Sequence, residues 1–212
     1  MKQQYQKLLI SSGIIGPIFY VVLMEILGSL WPGYNPIKRH MSELGGVESP
    51  FKNIMNVFGF MALGLFILLF SIGFRMQFKK SLVRALVFGN LIIAGSFMII
   101  VGFFPCDAKC IDVTTIGKLH SLTSIPQSIV LPLAAIFSAS LFATEKIFGK
   151  RWSITSFILG LLSMVAGPLM AVSSLHPFVG IIQRFGIGFS LLWMVVISFK
   201  LLTNLHALKG AR

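Results

Sequence analysis

His40 and Glu43 form an H-x-x-E pair, the spacing at which an imidazole and a carboxylate share one face of a helical turn. Such a pair suits acid–base work or metal ligation. Two further histidines, His120 and His176, come from separate segments that hydropathy assigns to the same end of the molecule. Together with His40 and Glu43 they make a candidate metal set of three nitrogens and one carboxylate. Holding zinc, such a set activates water for hydrolysis. The chain has neither H-E-x-x-H nor a paired C-x-x-C motif, so a metal and its identity stay open. Haem held by His120 and His176 is a weaker alternative, because no second histidine pair continues an electron path. The cofactor is therefore unknown.

The acidic residues follow the same distribution. Glu43, Glu48, Asp107 and Asp112 fall in two loops at that end, and Glu25 lies inside the first apolar run. A carboxylate within a membrane span costs about 2.5–3.5 kcal/mol on insertion scales. Glu25 is therefore expected to face the interior and to pair with Arg39, His40 or Arg184. Glu25, Glu43, Asp107 and His120 are the candidate acid–base residues, with Arg39 and Arg184 as anion contacts. Tyr34, at the acyl–headgroup boundary, and Ser42 are further binding candidates. The alternative is an ordinary solvated loop whose basic residues meet lipid.

His120, Thr123, Ser124, Gln127 and Ser128 recur at helical spacing, a polar stripe over half of one helix. It reads either as the lining of a pocket open on one side or as a set of interhelical hydrogen bonds. Cys106 and Cys110 are the only cysteines and belong to the exterior side. They are expected to form a structural disulfide rather than a thioredoxin-like centre, whose spacing is C-x-x-C.

The elements that must position these residues are legible from hydropathy. The chain is 56% hydrophobic and 11% charged, and runs of about 20 apolar residues suffice to cross a bilayer. Helices are predicted over 8–31, 54–74, 85–104, 120–144, 154–174 and 184–205. The runs are long and apolar all round, which favours helices over the short alternating strands of a membrane barrel. The expected fold is all-α: one domain of six transmembrane helices. Ser49-Pro50 is expected to cap and open the second helix. The first run is too long for a signal-peptide core and is read as a retained span.

Lys2, Lys7, Arg75, Lys79, Lys80, Arg84, Lys146, Lys150, Arg151, Lys200, Lys209 and Arg212 flank one end, twice as many basic residues as the other. By the positive-inside rule both termini are expected in the cytoplasm. The formal charge of +12 then reflects topology and anionic lipid, and no nucleic acid is implied. Pro126 and Pro132 are expected to kink the fourth helix and Pro168 the fifth.

The segment Y-N-P-I-K-R-H-M-S-E-L-G (Tyr34 to Gly45), with Pro50 entering the second helix, resembles the signature of the bacterial and archaeal membrane proteins grouped as domain of unknown function 998. Phe104-Pro105-Cys106-Asp107 and His120 resemble that family's later landmarks. The resemblance implies a six-helix membrane fold with Ser42, Glu43, Asp107 and His120 as the positions to watch, and implies no reaction. The Ser-Glu-x-Gly turn is also similar to that of the Frag1/DRAM/Sfk1 group, membrane proteins linked with lipid handling.

The function expected from these readings is that of a multi-pass cell-membrane protein whose polar outer pocket binds or processes a lipid headgroup. Membrane lipids are then its partners, beside a membrane-protein partner or a second copy. A small transporter or channel subunit is one alternative, disfavoured by the scarcity of polar residues in the inner halves of the helices. A structural or regulatory membrane partner without catalysis is the other.

Overall fold

The computed structural model describes residues 2–205; Lys209 and Arg212, counted above for the charge asymmetry, lie outside the described residues. Six helices are long and apolar enough to cross a membrane: α1 (Lys2–Leu30), α2 (Lys52–Arg75), α3 (Leu82–Val101), α4 (Thr115–Thr144), α5 (Gly149–Met170) and α6 (Val179–Thr203). Among the described residues there is no strand. Each helix packs on its neighbours in sequence and α6 returns to α1, so the six close into a ring.

Helix ends differ from the hydropathy reading, and at α4 a polar cap is the cause. Thr114 accepts a hydrogen bond from Gly117 N (3.1 Å) and starts α4 at Thr115. His120 therefore sits in the second turn instead of opening the helix. α6 begins at Val179 without a side-chain cap, placing Arg184 inside the helix. The expected Ser49-Pro50 helix start is corrected: Ser49 Oγ accepts Phe51 N (3.1 Å) in a preceding turn, and the helix begins at Lys52.

Lipid tails are as apolar as leucine, so close packing and hydrogen bonds must hold the ring together. Glycines provide the closest approaches. A Cβ on Gly95 would lie 2.8 Å from the Gly64 carbonyl oxygen, so α2 and α3 meet backbone to backbone. Gly160 lets α5 approach the Pro132 carbonyl of α4, and Gly186 lets α6 approach Ala166 of α5. Within α2, Met55–Met61 winds as a π-helix, and Asn56 and Phe60 from this wider segment are buried. Asn56 Nδ2 donates to Gly45 O (3.0 Å), tying the helix to the first loop.

The ring is filled at one end and hollow at the other. Trp193 donates to Ser156 Oγ (3.2 Å) and meets Phe70 edge-on at 6.1 Å. Phe74, Phe78, Phe142 and Phe148 continue this aromatic cluster toward the α2–α3 and α4–α5 connections. Aromatic pairs of this kind contribute about 0.5–1.5 kcal/mol each beyond area burial. The longer connections, 31–51, 102–114 and 171–178, gather at the opposite end, above the hollow.

Candidate functional site

The first loop is fixed by two arginines. Arg39 lies 4.3 Å above the Trp31 ring, which stacks on Tyr34 at 5.3 Å. Its Nε donates to Glu43 Oε2 (2.6 Å), and a second guanidinium nitrogen stands 3.8 Å from Glu48. Glu43 is buried, and its other oxygen accepts His40 N at 2.8 Å. Arg184 reaches across from α6, donating to Tyr34 Oη (2.8 Å), Pro36 O (2.8 Å) and Gly180 O (3.2 Å). Its Nε also stands 3.5 Å from Glu25. Gly180 has no Cβ because Pro36 and Arg39 carbonyls occupy that space. Burial raises the Tyr34 phenol above its usual range, although the Arg184 hydrogen bond acts against it. Both arginines thus clamp the loop, their charges met by carboxylates.

The Ser-Glu-Leu-Gly-Gly turn carries the next layer. Met41–Gly45 is a buried 3-10 turn, held from α6 by Gln183. Gln183 Oε1 accepts Met41 N (2.8 Å), and its Nε2 donates to Ser42 Oγ (3.2 Å). Gly46 permits contact with Cys106, and Val47 N donates to Cys106 O at 3.0 Å. Cys106 and Cys110 are joined in a disulfide. Asp107 caps the following loop: it accepts Thr114 N (2.7 Å), Val113 N (2.9 Å) and Thr114 Oγ1 (2.8 Å). The Thr114 backbone N–H and hydroxyl hold its carboxyl below the usual range.

Beneath these loops lies a cavity of about 270 Å³. From α4 it is lined by His120, Ser121, Ser124, Ile125, Gln127 and Ser128, and from α5 by Ser163, Ala166, Gly167 and Met170. α6 supplies Gln183, Gly186, Ile187 and Ser190, while His40, Met41, Ser42 and Cys110 form the roof. Ser163 and Ser190 hydroxyls are paired at 2.7 Å in the wall. Pro132 lacks an N–H, so it leaves the Ser128 carbonyl without its usual helical partner. Among the described residues, none of the lining side chains is Asp, Glu, Lys or Arg.

His120 is oriented by its neighbour. Its Nδ1 lies 2.6 Å from Phe104 O, and a carbonyl can only accept, so Nδ1 carries the proton. In the neutral ring Nε2 is then an acceptor. No hydrogen-bond partner for it occurs among the described residues. Burial lowers the His40 imidazole below its usual range, against the opposing pull of Glu43. The roof histidine is neutral near pH 7.

The cavity opens in two directions. Upward it shares His40, Cys110 and Met170 with an outer vestibule lined by Lys38, Arg39, Glu43, Glu48, Lys109 and His176. Sideways, the lining residues Ile125, Ser128 and Gly167 are themselves exposed on the outer surface of α4 and α5. A Cβ on Gly167 would meet nothing within 4 Å. Below this gap α4 and α5 close where Gly160 meets Pro132 and Ile136.

Several expectations are corrected by this geometry. Glu25 does not face the interior: its side chain is 55% exposed on the outside of α1, reaching Arg184. That position leaves the carboxylate solvated or near headgroups, which costs less than burial. Glu43 and Asp107 are consumed by backbone and arginine partners and do not line the cavity. Arg39 and Arg184 are engaged with carboxylates instead of awaiting an anion. His40, Glu43, His120 and His176 do not assemble as ligands, and no three metal-ligating side chains gather among the described residues. Tyr34 serves the Arg184 clamp. His176 reaches the vestibule, whereas His40, Ser42, His120, Ser124 and Gln127 reach the cavity itself. Thr123 turns away, donating to Leu119 O at 2.7 Å.

Sequence reasoning passed over Gln183, Ser163 and Ser190. Gln183 had a usable signal, a lone glutamine in an apolar helix, since such a residue must find a partner in the bundle.

The model of a protein family described as "Protein of unknown function (DUF998)" matches residues 14–200. Neither the curated proteins nor the solved structures yield a match. The matched range spans all of the loop and cavity residues described above, and the chain belongs to the DUF998 family.

Proposed function

We propose that this chain is a lipid-binding protein of the cell membrane, with both termini cytoplasmic and the cavity opening at the outer leaflet. Its ligand is a membrane amphiphile whose polar end is uncharged. The observation that carries this reading is a cavity lined by hydroxyls, amides and two imidazoles, and by no formally charged side chain. Burying an ionised headgroup without a counter-charge costs several kcal/mol, whereas a hydroxyl finds donors and acceptors on every wall. His120 Nε2 accepts from a ligand hydroxyl, Ser124 and Gln127 complete its hydrogen bonds, and the hydrocarbon chain leaves through the gap beside Gly167. Glu43, Asp107, Arg39 and Arg184 build the frame. The aromatic cluster around Trp193 closes the other end of the ring, which supports a one-sided site over a transport path.

The experiment is native mass spectrometry of the full chain with monoolein and phosphatidylglycerol as competing probes. The wild type is expected to retain monoolein. H120A and Q127A should weaken it about tenfold, the worth of one good buried hydrogen bond. Retention of monoolein equal in all three proteins would defeat the reading.

A further inference from the structure

A second groove lies at the opposite end of the ring, where α2 ends and α3 begins. It has a volume of about 340 Å³ and is lined by Ile72, Arg75, Met76, Lys80, Arg84 and Phe88. Three cations converge there, and each of the three ion pairs among the described residues uses Arg39 or Arg184 instead. Arg75 is held 4.5 Å above the Phe88 ring. Arg84 is anchored by donating to Phe78 O (3.0 Å), yet its Nε is buried with no hydrogen-bond partner. The groove therefore has positive charge held in place with no carboxylate paired to it among the described residues.

Its position selects the source of the anion. Ile72 and Arg75 close one membrane-capable span, and Arg84 and Phe88 open the next. Leu82 and Leu86, beside the groove, are 76% and 40% exposed. The cations thus sit at the depth of lipid headgroups, over an apolar floor suited to the first methylenes of an acyl chain. We infer that this groove is a binding site for the phosphate headgroup of an anionic membrane lipid, separate from the cavity at the other end. Arginine matches phosphate with paired donors, and the guanidinium groups of Arg75 and Arg84 line the groove beside the Lys80 ammonium.

The test uses the full chain in mixed micelles, with native mass spectrometry reading retention of phosphatidylglycerol against phosphatidylcholine. The wild type should prefer phosphatidylglycerol about thirtyfold, the effect expected of two surface cations. R75Q/K80Q should bring that preference to within about twofold, and K80Q alone should lower it measurably, since Lys80 is exposed and its loss leaves the fold intact. The control K146Q/K150Q, which removes equal charge from the α4–α5 connection and the first turn of α5, should keep the preference, as should G167L at the cavity. Equal losses in both double variants would mean diffuse attraction and overturn the site. So would a wild type without preference. Displacement of phosphatidylglycerol by millimolar inorganic phosphate would assign the groove to a free anion and overturn the lipid.

Discussion

Replacing Glu43 with glutamine separates a framing role from a catalytic one. The carboxylate is 5% exposed, and its partner Arg39 is 25% exposed. Breaking a fully buried ion pair costs about 3–5 kcal/mol. Two features reduce that here. Glu48 stands 3.8 Å from the same guanidinium and takes over part of its charge, and glutamine keeps one oxygen to accept either Arg39 Nε or His40 N. One charge-assisted hydrogen bond is lost, and the expected destabilisation is about 2 kcal/mol. For a chain of this size that corresponds to a lowering of the melting temperature by about 4–8 °C. Thermal unfolding in detergent, followed by tryptophan fluorescence, measures it, because Trp31 sits under Arg39. R39Q should cost a similar amount, and the double variant less than the sum, with a coupling of about 1 kcal/mol. An E43Q protein that melts like the wild type but no longer retains ligand would refute the framing role.

Acid should weaken the molecule in two steps. Unfolded His40 takes up its proton near 6.5 and the buried one only at lower pH, so the unfolded state binds more protons between those values. Stability therefore falls as pH drops from about 6.5 toward the folded value, and H40Q should flatten that window. Asp107 acts in the opposite sense to burial: its lowered pKa contributes stability above 3.8 that is lost as pH falls further through the folded value. D107N should remove this second step, read in the same melting experiment. At the α2–α3 contact, G64V meets the Gly95 carbonyl and should destabilise by about 1–3 kcal/mol through overpacking. G89A, at a helix position where a Cβ meets nothing within 4 Å, should be neutral or stabilising by up to about 1 kcal/mol.

The six spans were legible because hydropathy alone decides what a bilayer admits. Their ends were less so: α4 starts five residues early because Thr114 supplies a cap, and capping depends on one side chain that a hydropathy average dilutes. The gathering of polar groups at one end was also legible. Which of them neutralise each other was legible only in part, Arg184 being one of the three partners expected for Glu25. Arg184 and Glu25 are 159 positions apart, and only the closing of α6 onto α1 brings them together. Local spacing made His40 and Glu43 look like joint ligands, whereas Glu43 turns to Arg39 and to the His40 backbone. The stripe from His120 to Ser128 was the sounder signal, since helical periodicity fixes a face whatever packs against it.

Binding of an uncharged amphiphile depends on what enters the gap between α4 and α5. G167L places a side chain in open space at that gap, so it should fold and melt like the wild type. Native mass spectra of the two proteins with monoolein present form the direct test. Loss of bound monoolein from G167L, with its melting temperature unchanged, is the predicted result. Undiminished monoolein on G167L, or a charged lipid displacing it from the wild-type cavity, would contradict an uncharged amphiphile entering from the side.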